Sequence, residues 1–391
     1  MLNPELSTHF GGIKIKYNNF MLLIILILIF IRPFICALAF PYSNFFYSLT
    51  LLIFLGAYLI YKKPLFTKKS GLVYPFVFFY LALSLSLFFS QDRFNSLAQL
   101  YQYLSGLGLL WVASSLPAED RLNTIKLILL AGLIISALAI YQYLFGFKHV
   151  LDYLSPNQTS WPFLLSYLQR KRAFFPFVTP GALGGYLAMV MFLSLSSKNR
   201  IWFILPVFVA LLLTKSVSAF ACLLGGLVVY FAVQHKLKRI NILLLGGLFL
   251  LVLIMIIGRS ATEQGYLQPG FSALMRLNYW QETLMIIRDH PLVGIGLGNF
   301  NLANSRYAHN SYLQVWAEMG ILGLVSLIWI IWAVMRAGLK KLTQTPGQKQ
   351  AACLLAASAV FLMHNAIDFT FFLPEVSLIW WVILGLTVTQ E

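Results

Sequence analysis

Along the chain, long apolar stretches alternate with short breaks of charged, glycine or proline residues. Read between those breaks, they predict helical spans over 20–40, 44–61, 71–90, 94–116, 125–145 and 176–196. A second series follows over 201–214, 216–234, 240–258, 311–335, 351–372 and 374–390. A helix needs about 17–25 apolar residues to cross a bilayer, and only the seventh stretch is clearly short of that. The pattern predicts an all-α integral membrane protein with about 12 transmembrane helices. Arg32-Pro33 should kink or end the first of them. Two connections, 146–175 and 259–310, are much longer than the rest, and loops of that length are usually functional or disordered. In the second, Leu274, Leu277, Trp280, Leu284 and Ile287 share one helical face with Arg276 at its edge. That spacing predicts an amphipathic helix resting on the membrane surface or on the bundle. The chain thus divides into spans one to five (1–145), a first long loop (146–175), spans six to nine (176–258), a second long loop (259–310) and spans ten to twelve (311–391). No internal repeat supports an inverted-repeat transporter.

Composition narrows the class. Of the 391 residues, 60% are apolar and 10% charged, against about 25% charged in a soluble domain. A soluble enzyme, a secreted disulfide scaffold and a disordered chain are excluded. The net charge of +16 is the excess expected of cytoplasmic loops, which gather Lys and Arg, and does not call for nucleic acid. With the N-terminus inside, 17 Lys and Arg fall on the cytoplasmic side and 10 outside, with Arg32 left in the membrane, so both termini are cytoplasmic. The inner set holds 13 Lys to 4 Arg and the outer set 3 Lys to 7 Arg. Guanidinium groups match phosphate and carboxylate bidentately, so an arginine-rich outer face points to an anionic ligand or to lipid headgroups.

Cys36, Cys222 and Cys353 lie far apart inside apolar stretches and offer neither zinc spacing nor a disulfide framework. Of the six histidines, His309 stands out. It precedes a long span, in the run His309-Asn310-Ser311-Tyr312-Leu313-Gln314-Val315-Trp316-Ala317-Glu318-Met319-Gly320-Ile321-Leu322-Gly323. A helix N-terminus and partial burial both disfavour the imidazolium, leaving a neutral ring that can accept a proton. Gly320 and Gly323 should let another helix approach closely. Upstream, Gly294, Gly296 and Gly298 are not a dinucleotide fingerprint; they fit a tight loop whose backbone nears a ligand, or a plain connector. Glu318 within its span is a functional candidate by default, or one half of a structural pair. His364 and Asp368, four apart, should meet on one helical face.

The run from His309 to Gly323 resembles the signature of the O-antigen ligase superfamily: His, then Asn, Ser or Gln, nine residues, Gly, two residues, Gly. The segment from Pro291 to Phe300 is similar to that family too. So are Arg172-Ala173-Phe174-Phe175 running into Thr179-Pro180-Gly181, the segment from Arg276 to Trp280, and the region from Asp368 to Pro374. The likeness covers roughly residues 170–380. It departs at Thr214-Lys215-Ser216-Val217, where relatives often carry an arginine after the serine, and at Thr179-Pro180-Gly181, where Asn-Pro-Asn is usual. The missing arginine's role is absent or falls to Lys215.

The resemblance implies an undecaprenyl-pyrophosphate-linked glycan donor, an acceptor hydroxyl on glycolipid, glycan or protein, and an active site at the periplasmic face of a bacterial inner membrane, among membrane lipids. Both long loops would then be periplasmic, the larger one carrying short amphipathic helices. His309 would be the catalytic base, and Arg172 and Arg276 would bind the donor pyrophosphate. Asn310, Tyr312, Glu318 and Lys215 are supporting candidates, whereas Arg170, Lys171, Arg288 and Arg306 either extend the basic surface or face headgroups. No cofactor is expected. No metal is expected either, since Asp92, Asp152, Glu263, Glu282, Asp289 and Glu375 form no cluster in the outer sequence. A ligase, a surface-polysaccharide polymerase and a protein O-oligosaccharyltransferase share this chemistry and differ in acceptor. A lipid-linked glycan flippase is the alternative of another class, but it wants charge along a path through the membrane, which these spans largely lack.

Overall fold

The computed structural model describes residues 7–10, 13–62, 71–150, 167–234, 238–260, 271–342 and 348–388. A short antiparallel pair, Ser7–Phe10 with Ile13–Lys16, precedes a helical bundle. The helices are α1 (Tyr17–Ile31), α2 (Pro41–Lys62), α3 (Val73–Phe88), α4 (Arg93–Ser114), α5 (Ala118–Tyr141), α6 (Pro180–Ser196) and α7 (Arg200–Thr214). They continue with α8 (Val217–Val233), α9 (Arg239–Ser260), α10 (Phe271–Asp289), α11 (Ser311–Lys341), α12 (Gln348–Asn365) and α13 (Pro374–Thr387). Four segments, Pro41–Lys62, Ala118–Val150, Arg239–Gly258 and Ser311–Lys341, are long and apolar enough to cross a membrane, and six shorter apolar helices accompany them. The bundle's outward faces carry Ile53, Phe78, Leu243, Ile254 and Ile257 uncovered, as expected where lipid is the solvent.

The helices α6, α12 and α13 form the centre. Nearly every residue of α6 and α13 is buried, including Tyr186, Trp380 and Trp381. Polar caps start several helices at one end of the bundle. Asp92 accepts from the Phe94 and Asn95 amides, Thr179 from Ala182, Ser216 from Ala219, and Asn310 from Tyr312 and Leu313. Each satisfies amides that have no partner inside the helix. At the opposite end, Arg121 binds the Leu386 carbonyl and the Lys341 ammonium donates to the Thr387 carbonyl at 2.8 Å.

Several expectations change. The fifth span does not end at 145: the helix runs to Val150 through a π-helical turn at Gln142–Gly146. The eleventh does not reach 372. Helix α12 stops at Asn365, whose side-chain oxygen accepts from the Phe371 amide (2.7 Å) and the Ser311 hydroxyl (2.7 Å), folding the chain back. His364 and Asp368 still face each other at 3.7 Å, but across that turn rather than along a helix. The close approach at Gly320 is to a loop, not a helix, because Gly320 itself breaks α11 with φ 65° and ψ −174°. The remainder of the first long loop, 151–166, and residues 261–270 of the second lie outside the described residues.

Arg32 is not solitary. The first helix ends at Ile31 as the Arg32-Pro33 break predicts, and the fully buried Arg32 meets Glu375 at 3.3 Å while lying over the Tyr47 ring. Removing one member of a buried pair strands the other charge. Glu375→Ala should therefore cost about 3–5 kcal/mol, and the joint replacement Arg32→Met with Glu375→Leu much less. Thermal unfolding in nanodiscs reads this directly, and equal stability of the single and double variants would refute it.

Candidate active site

His309 is the residue before the Asn310 cap of α11, and it adopts the left-handed region with φ 52°. Such a backbone costs a non-glycine residue of order 1–3 kcal/mol and persists only where the surroundings impose it. Among the described residues the non-glycine positions with positive φ are Lys171, Lys215 and His309. All three belong to the segments singled out for chemistry.

The His309 ring lies in an aromatic cage. Tyr279 of α10 stacks on it at 5.7 Å between centroids and 18° between planes, and Phe369 meets it edge-on at 4.8 Å. Its Nδ1 is enclosed, with no hydrogen-bond partner among the described residues. Arg276 and Tyr279, three apart on α10, face the same side, and the Arg276 charge acts on the imidazole together with that of Asp368. Burial pushes the His309 pKa down to about 4, with Arg276 adding to the effect and Asp368 opposing it. The ring is therefore neutral at ordinary pH. Arg276 is held by Ser272, whose hydroxyl accepts from Nη1 at 2.9 Å, while its Nε is enclosed and unpartnered.

A second basic group surrounds the turn between α7 and α8. The Arg172 Nε donates to the Thr214 carbonyl at 3.1 Å and its guanidinium lies over the Tyr167 ring. The Lys215 ammonium donates to the Arg170 carbonyl at 2.7 Å. Partial burial and the charges of Arg172 and Lys171 hold the Lys215 pKa below its ordinary value. Gln142, at the π-helical turn, accepts from the Phe174 and Phe175 amides and so fixes the segment that follows Arg172. Nothing local to Gln142 announces that anchor, because its partners lie 32 and 33 residues further on. The packing of α6 links the two groups: a Cβ at Gly184 would lie 3.0 Å from that of Ser216, and one at Gly181 would lie 2.7 Å from Asp368 Oδ2. The N-terminal turns of α6 and α8 thus meet beside Asp368, whose carbonyl accepts from Ser311 at the start of α11.

The remaining candidates have structural partners. Asn310 caps α11, and the Tyr312 hydroxyl donates to the Leu362 carbonyl at 2.9 Å, tying α11 to α12. Glu318 is buried beside the break in α11. Its carboxylate accepts from Gln314 at 2.9 Å and from the Gly298 amide at 3.1 Å, and its carbonyl accepts from Ser86 at 2.8 Å. The Ile295 and Gly296 amides donate to the Ala317 and Glu318 carbonyls, and the Ile321 amide donates to Pro291. Gly294, Gly296 and Gly298 all have positive φ. Their loop is tight as expected, but its backbone closes on Glu318 and on the α3–α4 turn. The amphipathic helix α10 uses two faces: Tyr279, Thr283 and Ile287 are buried on the bundle, whereas Leu274, Leu277 and Leu284 remain exposed. Among the described residues no three His, Cys, Asp or Glu side chains are grouped to hold a metal ion.

Residues 201–328, about a third of the chain, match the family model described as O-antigen ligase. The matched region contains Lys215, Arg276, His309 and Glu318 and ends before Asp368; Arg172 lies upstream of it. The match supports the O-antigen ligase superfamily and, with the apolar helices, a multi-pass membrane protein of glycosyltransferase-like type. No curated protein matches the chain.

The conformation of Gly320 belongs to the region essentially reserved for glycine, and a Cβ there would strike the Leu292 carbonyl. Gly320→Ala should destabilise the protein by about 1–3 kcal/mol through the backbone alone. It should also expose the 291–298 loop to proteolysis. An unchanged unfolding temperature and cleavage pattern would show that the loop does not depend on this break.

Proposed function

We propose, taking the O-antigen ligase family's match to residues 201–328 as the premise, that this chain transfers a glycan from undecaprenyl pyrophosphate to an acceptor hydroxyl. The reaction is inverting, needs no metal and takes place at the periplasmic face of a bacterial inner membrane, with both termini cytoplasmic. The observation that carries the reading is the His309 imidazole: neutral, caged by Tyr279 and Phe369, with an enclosed unpartnered nitrogen and Arg276 beside it.

In this reading the acceptor oxygen attacks the anomeric carbon as its proton passes to His309. The bond from that carbon to the phosphate oxygen breaks, and its electron pair leaves on undecaprenyl pyrophosphate. One displacement inverts the anomeric centre. Arg276 and Arg172 stabilise the charge gathering on the leaving group, which fixed donors in a partly dehydrated site do without reorganising. Lys215 takes the place of the arginine that relatives often carry. Asn310, Tyr312 and Glu318 hold the helix and loop that present the base. The acceptor decides whether the activity is that of a ligase, a polymerase or a protein O-oligosaccharyltransferase.

The test follows release of undecaprenyl pyrophosphate from a lipid-linked glycan by protein in nanodiscs, with chelator and a set of acceptors. Acceptor-dependent release should fall by about 10²–10⁴-fold in His309→Ala, the usual worth of a general base, and by about 10²–10³-fold in Arg276→Ala or Arg172→Ala. Equal release by His309→Ala would remove the base. Movement of lipid-linked glycan across the bilayer without release would favour a flippase. Because His309 titrates at about 4, kcat/KM should stay level from pH 8 down to about 5 and fall only as the ring protonates near 4. A limb near the ordinary imidazole value would contradict the buried, neutral base.

A further inference from the structure

An open cleft of about 510 Å³ lies next to the candidate active site and takes no part in the chemistry above. Its walls are the turn and first residues of α4 (Gln91, Asn95) and the segment that leaves the glycine loop (Asn299, Phe300, Asn301 and Arg306). We propose that this cleft is a glycan-binding subsite that holds sugar rings next to His309. The assignment rests on the transferase reading for its place in a reaction, but not for its chemistry.

Three observations carry it. The first is the lining. Side-chain amides dominate, and each offers donor and acceptor together, which suits the vicinal hydroxyls of a sugar. Gln91 and Asn301 are exposed, and their side chains make no hydrogen bond to the described residues. Asn299 donates to the Ser90 hydroxyl at 2.7 Å and to the Ile295 carbonyl at 3.1 Å, which braces the wall from behind; its Oδ1 is enclosed. Phe300 is buried behind the cleft in a cluster with Tyr279 and Ile287 and anchors that wall. Arg306 is balanced by Asp92, already engaged in capping α4. A lipid chain would want an apolar wall and a pyrophosphate more than one cation, so a largely neutral, hydroxyl-rich ligand fits best. The volume lies within the ~300–1,000 Å³ of ordinary ligand pockets.

The second is rigidity. A Cβ at Gly296 would lie 2.7 Å from the Ser90 Cα, and one at Gly298 2.8 Å from the Asn95 carbonyl oxygen. The Ser96 hydroxyl donates to the Leu297 carbonyl at 2.6 Å. The two walls are therefore clamped together before any ligand arrives, and preorganisation of that kind lowers the cost of binding. The third is position. Arg306 is three residues before His309, which limits their separation along the chain to about 11 Å. Between them, Tyr307 stacks on Phe369 at 4.2 Å, the ring that meets His309 edge-on. On this proposal a short oligosaccharide extends from the cleft toward the base.

The test uses protein in nanodiscs and two readouts. Saturation-transfer NMR with free tri- and tetrasaccharides of glucose, galactose, rhamnose and N-acetylglucosamine should detect a binding sugar. The joint variant Gln91→Ala with Asn301→Ala should weaken that binding about tenfold, as loss of two hydrogen bonds implies, whereas His309→Ala should leave it intact. In the transfer assay the same variant should raise KM about tenfold at unchanged kcat. A rise for the acceptor assigns the cleft to the acceptor glycan, and a rise for the lipid-linked donor assigns it to the donor glycan. Sugar binding that survives in a protein with no transfer activity upholds the subsite while the transferase reading falls. Absence of sugar binding, binding indifferent to the variant, or binding of a Ser/Thr-rich peptide in place of the sugars would overturn the proposal.

Discussion

A backbone group that loses its helical partner in apolar surroundings must find another one, and in α11 that demand falls at Gly320. The break frees the carbonyls of Ala317 and Glu318 and the amide of Ile321, and the 291–298 loop satisfies all three with its own backbone. The Glu318 carboxylate then holds the Gly298 amide, and its carbonyl takes the Ser86 hydroxyl. One defect therefore ties the loop, α3 and α11 into a single unit. The start of α11, where Asn310 and His309 sit, is positioned by that unit. A straight α11 would offer the loop no backbone groups to bind.

The same economy governs charge. Ionisable groups are expensive away from water unless paired or hydrogen-bonded, and the buried ones here have identifiable partners. Arg32 meets Glu375, His364 faces Asp368, and Glu318 is bound by Gln314 and Gly298. The unpartnered polar atoms that remain include His309 Nδ1, Arg276 Nε and Trp280 Nε1. His309 and Arg276 belong to the candidate site, whereas Tyr103, Tyr186 and Trp380, also unpartnered among the described residues, lie in the bundle core.

Much of the helical layout was legible, because bilayer thickness and the cost of exposed backbone constrain apolar stretches to helices of similar length. The end of α1 at Arg32-Pro33 was legible for a local reason, since proline removes a donor; the neutral state of His309 follows from burial, which the sequence suggested only as an interfacial position. What the sequence hid is long-range. Arg32 and Glu375 are 343 residues apart, and nothing local to either announces the other. Gly320 looked like a contact glycine because a lone Gly in an apolar run does not reveal its φ. The stop of α12 at Asn365 depends on Ser311 and Phe371, which the span pattern placed in other elements or in the same helix. The aromatic cage required Tyr279 and Phe369, from two separate segments, to meet at His309.

Positive φ at His309 and Lys215 connects the two basic groups to a common principle. Lys215 sits between α7 and the Ser216 cap of α8, and His309 ends the loop that leads into the Asn310 cap of α11. A left-handed residue there turns the chain sharply, so the side chain projects beside a helix N-terminus instead of continuing the helix. The N-terminal turns of α6, α8 and α11 meet around Asp368, and their amides favour negative charge. Burial, with the Arg276 charge adding to it, keeps the nearby His309 imidazole unprotonated. In the proposed transfer from a pyrophosphate to a hydroxyl, a buried base and an anion-binding surface can therefore be neighbours without competing for the same proton.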